Sequence, residues 1–244
     1  MSAPLQIIEL SKNYDGREAV KNISFEVNES EIVGILGPNG CGKTTTIGMI
    51  LGLLKPSSGK VLVKGTEVEL KRVDLLDELN FISPYIELPK KLTVRQNLEV
   101  YGRLYDIKNL KFKIEHISKK LRLDGIINKI TGELSSGQKN RVSLAKSIIN
   151  DPKILLLDEP TASLDPETGD FVRGFLEEYQ RERGASILLA SHNMAEVERL
   201  CSSVLMMNDG IIIDQGSPSK LIEKHGRKNL EDVFLKLTRT KIWI

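Results

Sequence analysis

Ile32-Val33-Gly34-Ile35-Leu36-Gly37-Pro38-Asn39-Gly40-Cys41-Gly42-Lys43-Thr44-Thr45 is the stretch that decides the fold. The apolar run 32–36 predicts a strand buried on both faces. A glycine-spaced turn, Gly37-x-x-x-x-Gly42-Lys43-Thr44, follows at once, and residues 45–51 carry a helical pattern. Strand, glycine loop and helix in that order build a phosphate cradle. The glycines let the backbone curl so that successive N–H groups point at one phosphate, and the helix dipole adds positive potential there. Lys43 supplies a point charge for β- and γ-phosphates, and the Thr44 hydroxyl supplies an oxygen for Mg²⁺. Gly37, Pro38, Asn39, Gly40, Cys41, Gly42, Lys43, Thr44 and Thr45 are therefore the expected nucleotide-binding residues. Cys41 is filler in this reading, because the backbone does the binding.

Three more apolar runs, Ile154-Leu-Leu-Leu157, Ile187-Leu-Leu-Ala190 and Val204-Leu-Met-Met207, read as further buried strands with helical patterns between them. That alternation predicts an α/β fold with a mostly parallel sheet. Asp158 ends the first of these runs, so at the carboxyl edge of the sheet it faces the same crevice as Lys43. It is expected to hold Mg²⁺, through water, together with Thr44. Glu159, one residue on, is placed to orient or deprotonate an attacking water, a role worth about 10²–10⁴ in rate.

Antiparallel pieces are expected near both ends. Residues 22–27, the turn Asn28-Glu29-Ser30 and the chain from Glu31 read as one hairpin. Asn208-Asp209-Gly210 before Ile211-Ile212-Ile213 reads as another. Between 93 and 150 strand character gives way to a helical insert, opened by the capping box Thr93-Val-Arg-Gln96. Asp165-Pro166, Asn193 with Glu196, Ser217-Pro218 and Asn229 announce four later helices. The expected organisation is one domain over 1–244. Its core covers about 1–84 and 150–216, its helical subdomain 85–149, and its C-terminal helical extension 217–244.

Composition narrows the function. In 244 residues, 35 Lys plus Arg against 33 Asp plus Glu leave a formal charge of +2, which predicts no nucleic-acid partner and no polybasic membrane patch. The two cysteines, Cys41 and Cys201, are too far apart in sequence for a metal-ligand cluster and suit a cytosolic chain with reduced thiols. Residues 1–10 lack the basic start and apolar stretch of a signal peptide. The apolar runs fall well short of the roughly 20 residues a membrane-spanning helix needs.

Upstream of Asp158 lies Leu134-Ser135-Ser136-Gly137-Gln138, followed by Lys139-Asn-Arg141-Val-Ser-Leu-Ala145. With this piece between the phosphate loop and the Asp158 strand, the chain resembles the nucleotide-binding subunit of an ABC transporter from Tyr14 to about Leu237. The family signature Leu-Ser-Gly-Gly-Gln is written here as residues 134–138. The resemblance implies a P-loop NTPase (RecA-like) core with an antiparallel β-subdomain and an inserted α-helical subdomain, using ATP and Mg²⁺. Ser135 and Gln138 form a capping box, so this helix tip presents free N–H groups and a hydroxyl to an anion. In the family those groups bind the γ-phosphate held by a second copy, giving a closed head-to-tail homodimer.

The resemblance carries three smaller motifs. Ser163-Leu164-Asp165 matches the loop that contacts the opposite subunit, with Asp165 also a helix cap. His192, in Ser191-His192-Asn193, matches the residue that donates to the γ-phosphate and holds Glu159 and water in register. Tyr14 matches the aromatic that stacks on adenine, worth about 1–3 kcal/mol by analogy with other base-stacking sites. His116 and His225 read as solvated. Two positions depart from the family pattern. Tyr85 stands where a glutamine normally reaches Mg²⁺ or water, and Ser136 replaces a glycine.

Leu92-Thr-Val-Arg-Gln-Asn-Leu98 and Tyr101-Gly-Arg-Leu-Tyr105 look like the efflux-type subgroup. So does the tail Leu230-Glu-Asp-Val-Phe-Leu-Lys-Leu237, which reads equally well as an amphipathic helix on its own core. The implied partner is a separate integral-membrane permease, gripped by residues 85–97. The implied location is the cytoplasmic face of the membrane, as a peripheral subunit. A soluble ABC ATPase acting on ribosomes or nucleic acid is the alternative, but it lacks support from tandem domains, long coiled-coil insertions or basic charge. A GTPase or small-molecule kinase leaves residues 134–138 and His192 unexplained. The guanine motif Asn-Lys-x-Asp is also missing, since Asn128-Lys129 runs into Ile130-Thr131.

Overall fold

The computed structural model describes residues 3–71, 75, 77–84 and 86–239. The chain begins β1 (Leu5–Tyr14), β2 (Arg17–Val27), β3 (Ile32–Leu36), α1 (Lys43–Ile50), β4 (Ser58–Val63), β5 (Thr66–Glu67), α2 (Val68–Lys71) and β6 (Leu79–Ile82). Three helices follow: α3 (Val94–Leu104), α4 (Leu110–Lys120) and α5 (Ser136–Ser147). The core resumes with β7 (Ile154–Asp158), α6 (Pro166–Arg183), β8 (Ser186–Ser191), α7 (Met194–Leu200), β9 (Ser203–Asn208) and β10 (Ile211–Gly216). It ends with α8 (Pro218–His225) and α9 (Leu230–Arg239).

Six strands form one sheet in the order β10-β9-β3-β8-β7-β6. All its pairs are parallel except β10 with β9. Side chains of a strand alternate between faces, and here both faces are covered. Ile32, Leu36, Leu155, Leu157, Ile187 and Leu189 point into a core shared with α3–α9. Val33, Ile35, Ile154, Leu156, Leu188 and Ala190 point into a second core with α1 and the antiparallel strands β1, β2 and β4. These strands read as unbroken aliphatic runs because each face has its own core. The mostly parallel α/β architecture with an antiparallel sheet is the expected one.

The expected hairpin from 22–27 into Glu31 does not form. β2 pairs antiparallel with β1, in a four-stranded sheet ordered β2-β1-β4-β5, while β3 enters the six-stranded sheet. The reason lies in the burial patterns. β2 alternates between buried and open positions, whereas β3 is buried throughout, so the two cannot share one half-exposed ribbon. The real hairpin turn is Asp15-Gly16, with φ of 47° and 90°. It repeats the geometry of Asp209-Gly210 (49° and 80°), which does join β9 to β10 as expected. Paired positive φ values match the twist of the flanking strands.

The helix starts fall where their caps are written. Thr93 and Ser135 each make a full capping box with the glutamine three residues on. Asp165 accepts from the Thr168 N–H ahead of Pro166, Ser217 caps α8, and Asn229 accepts from the Asp232 N–H. Asn193 caps α7 by accepting the Glu196 N–H, while the Glu196 side chain turns inward. His225 also differs from its reading as solvated. Its Nε2 lies 2.6 Å from Asp214 Oδ2, and only 12% of the side chain is exposed. It fastens α8 to β10. His116 is exposed, stacked on Phe112.

Candidate active site

The carboxyl ends of β3, β7 and β8 meet at one edge of the parallel sheet, and the phosphate loop, Asp158, Glu159 and His192 gather there. Between β3 and α1 the phosphate loop packs tightly. A Cβ on Gly37 would lie 2.2 Å from the Met207 carbonyl. Gly42 has φ of 112° and would bring a Cβ within 2.6 Å of the Ala19 carbonyl. No larger residue fits either position. Gly42 is also the N-cap of α1 and offers no side-chain acceptor, so the first N–H groups of that helix remain open to an anion. Cys41 is buried beneath the loop, and burial pushes its thiol up despite the nearby Lys43 charge.

Lys43 is buried, with Nζ donating to the Gly37 carbonyl at 2.7 Å and the Pro38 carbonyl at 3.2 Å. The same ammonium lies 3.5 Å from Glu159 Oε1. On its other oxygen, Glu159 Oε2 is 2.7 Å from His192 Nδ1. Lysine, glutamate and histidine thus form a continuous row, the lysine buried and the histidine 53% exposed. Ala19, Asn39, Gly40, Gly42, Lys43, Thr44, Thr45 and Glu159 line a cavity of about 240 Å³.

Thr44 Oγ1 donates to Asp158 Oδ2 at 2.9 Å. Asp158 is 1% exposed, and its Oδ1 has no hydrogen-bond partner among the described residues. Burial pushes this carboxyl above the ordinary carboxylate range, and the Glu159 charge adds to that. The Thr44 hydrogen bond and Lys43 oppose it. A buried carboxylate oxygen without a donor is costly, and a hard hydroxyl oxygen lies beside it. That donor set fits a divalent cation such as Mg²⁺.

The signature residues lie elsewhere. Leu134 is buried, while Ser135 and Ser136 are exposed at the tip of α5. None of residues 134–138 lines the phosphate cavity. Ser136 has no positive φ and sits in the first turn of α5, so this departure from glycine costs the backbone nothing. A second cavity, of about 260 Å³, lies between the insert and the core, with Ser136, Asn140, Ser163, Leu164 and Glu159 in its wall. Glu159 is common to both cavities. In the loop 163–165, Ser163 is exposed with φ of 61°, Leu164 packs on the core, and Asp165 caps α6. Hydrogen bonds from Thr168 hold the Asp165 carboxyl below the usual range.

Tyr14 ends β1, is 43% exposed and has Lys12 Nζ 5.0 Å above its ring. It does not line the phosphate cavity, although Ala19 of the same hairpin does. Tyr85 lies outside the described residues. Sequence reasoning missed three groups here. Asn140, on α5, donates through Nδ2 to the Pro160 carbonyl at 2.6 Å, one residue past Glu159. Thr161 and Glu196 are joined at 2.6 Å. Asn140 had no sequence signal, and Glu196 was masked by its position three residues after a helix cap.

Residues 20–162 match the family model described as ABC transporter. The chain is 35% identical over 226 residues to the ABC transporter ATP-binding protein NatA of Bacillus subtilis, spanning 91% of this chain and 92% of NatA. It is 38% identical over 226 residues to the Nod factor export ATP-binding protein I of Rhizobium johnstonii, spanning 90% of this chain and 71% of that protein. Its fold matches cbiO1 from Clostridium perfringens, part of the ABC transporter complex cbiONQ, with a TM-score of 0.81, 32% identity and 98% coverage of both chains. The chain belongs to the ABC transporter family, as an ATP-binding subunit. Its activity is ATP hydrolysis coupled to transport. Among the described residues no helix is long and apolar enough to cross a membrane.

Proposed function

We propose that this chain is the ATP-hydrolysing subunit of an exporter whose permease is a separate chain, and that it works as a homodimer on the cytoplasmic face of the membrane. The observation that carries the reading is the row Lys43–Glu159–His192, whose first two members line the phosphate cavity. Residues 37–45 bind the triphosphate through backbone N–H groups, with Lys43 leaving its loop carbonyls for the β- and γ-phosphates. Tyr14 offers its exposed ring to adenine. Thr44 and Asp158 would hold Mg²⁺, which when bound neutralises developing charge on the phosphate oxygens. Glu159 accepts the proton of the attacking water. His192, touching Glu159 through Nδ1, keeps its other ring nitrogen for the γ-phosphate.

Residues 134–138 lie outside their own chain's phosphate cavity, and this supports their acting on the ATP of a second copy. Two ATP molecules are then closed between two subunits, with Ser163, Leu164 and Asp165 at the contact. Loss of the γ-phosphate releases the pair. The segment 85–97 is the proposed grip on the permease. Export as the direction draws support from the Nod factor export relative.

Glu159→Gln keeps the shape and removes the base, so ATP should hold the variant as a persistent dimer in light scattering while turnover falls about 10²-fold or more. Hydrolysis at the parental rate overturns the assignment.

A further inference from the structure

We propose that Glu196 is a positioning residue that ties together the two loops carrying Glu159 and His192. The inference rests on the reading above, in which those two side chains act on ATP. Glu196 belongs to the first turn of α7, four residues past His192, yet it is only 2% exposed. Its Oε1 accepts from Thr161 Oγ1 at 2.6 Å, and its Oε2 accepts from Ser191 Oγ at 2.7 Å. The Ser191 hydroxyl in turn accepts the Asn193 backbone N–H at 3.0 Å. Thr161 is two residues after Glu159, and Ser191 is immediately before His192. One carboxylate therefore spans the loops that leave β7 and β8, taking hold of each beside its reacting side chain.

Helix formation does not account for this arrangement. The cap of α7 is already supplied by Asn193 Oδ1, which accepts the Glu196 N–H at 3.2 Å. An ionised group at this depth is costly unless both oxygens are satisfied, and here each receives a hydroxyl donor. Hydrogen bonds to a charged acceptor are the short, strong kind, and their geometry fixes both loops at once. Glu196 does not line the cavity assigned to phosphate. Its effect should fall on the alignment of Glu159 with His192, and so on the chemical step, while nucleotide binding is left alone.

The test is steady-state Mg-ATP hydrolysis by the purified full chain, with binding of a fluorescent ATP analogue and thermal unfolding measured alongside. Misplacement of a reacting group by about 1 Å costs about 10²-fold, so Glu196→Ala should lower kcat about 10- to 100-fold. KM and analogue affinity should stay within about threefold of the parent. Glu196→Gln keeps the length and one acceptor oxygen and should recover most of the loss, whereas Glu196→Met keeps the volume without an acceptor and should not, which a general packing role would not predict. Thr161→Val breaks one arm without changing volume and should give an intermediate kcat, and it replaces Glu196→Ala should that variant fail to fold. Parental kcat in the folded variant overturns the inference, as does analogue affinity falling in step with kcat. Glu159→Gln in the same assay separates the two readings. If it is inactive while Glu196→Ala is fully active, only the positioning role fails. If it is active, the base assignment beneath it fails.

Discussion

Lys146→Met tests how the signature helix is anchored. Lys146 lies on α5, with Nζ 3.3 Å from Asn80 Oδ1 and 3.4 Å from the Phe81 carbonyl. The ammonium also stands 4.8 Å from the centre of the Phe81 ring and 5.3 Å from that of Tyr101. No carboxylate appears among these contacts, and burial pushes the amine down to about 8 from its ordinary 10.5. Below about pH 8 both folded and unfolded chains carry the proton, and the cost of burying the charge is fully present. Between 8 and 10.5 the folded state gives up its proton first, so the unfolded state binds more protons and stability rises with pH. At 1.36 kcal/mol per unit that interval amounts to about 3 kcal/mol. The two ring contacts offset about 0.5–1 kcal/mol each. Methionine fills a similar volume without the charge, and its sulfur still packs on the rings. The variant should therefore be about 1–2 kcal/mol more stable near pH 7, which is a rise of about 2–8 °C in Tm. Near pH 10 the advantage should vanish. Thermal unfolding of both proteins at the two pH values measures it. An advantage that does not change with pH, or a variant less stable at neutral pH, refutes the reasoning.

Two further substitutions address the catalytic edge. Asn140→Ala removes the 2.6 Å bond to the Pro160 carbonyl. At about 1 kcal/mol it should lower kcat about fivefold with ATP affinity unchanged, and a parental kcat would show that the bond does not hold Glu159. Asp158→Asn should cut Mg-ATP turnover about 10²-fold or more. It should nevertheless leave the nucleotide-free protein as stable as the parent or more so near pH 8. The parent's raised carboxyl favours the protonated form, so its contribution to stability is present in acid and is lost as pH climbs through the folded pKa. A lower melting temperature for Asp158→Asn at neutral pH would contradict this.

The parallel sheet was legible because burial on both faces leaves a plain mark, the unbroken aliphatic runs 32–36, 154–157, 187–190 and 204–207. The helix starts were legible for a similarly local reason, since a cap satisfies N–H groups only three residues away. Strand partners were not. β2 and β3 are adjacent in sequence with a polar turn between them, and the pattern suggested a hairpin. Which sheet each joins depends on contacts with β1, β8 and β9 from across the chain. The Asp15-Gly16 turn was available as a signal and had the same chemistry as Asp209-Gly210. His225 was misjudged because its polar neighbours in sequence say nothing of Asp214 on β10.

At this edge of the sheet the clustering of Lys43, Glu159 and His192 was legible in the sequence and the supports of Glu159 were not. Glu159 has φ of 51°, a left-handed conformation that costs a residue with a Cβ about 1–2 kcal/mol. The residue before a proline is normally extended, so Pro160 makes this conformation less expected still. Something must hold it. The Glu159 N–H donates to the Ala190 carbonyl at 2.8 Å, Asn140 takes the Pro160 carbonyl, and Thr161 gives its hydroxyl to Glu196. Two of these anchors belong to the core, through β8 and α7, and the third belongs to the helical insert, through α5. A strained residue held from both sides responds to any change in their spacing. Movement of α5 against the sheet would reach Glu159 through one hydrogen bond, without passing through the nucleotide. The insert thereby holds the backbone one residue past Glu159. Asn140→Ala is the substitution that would cut that hold.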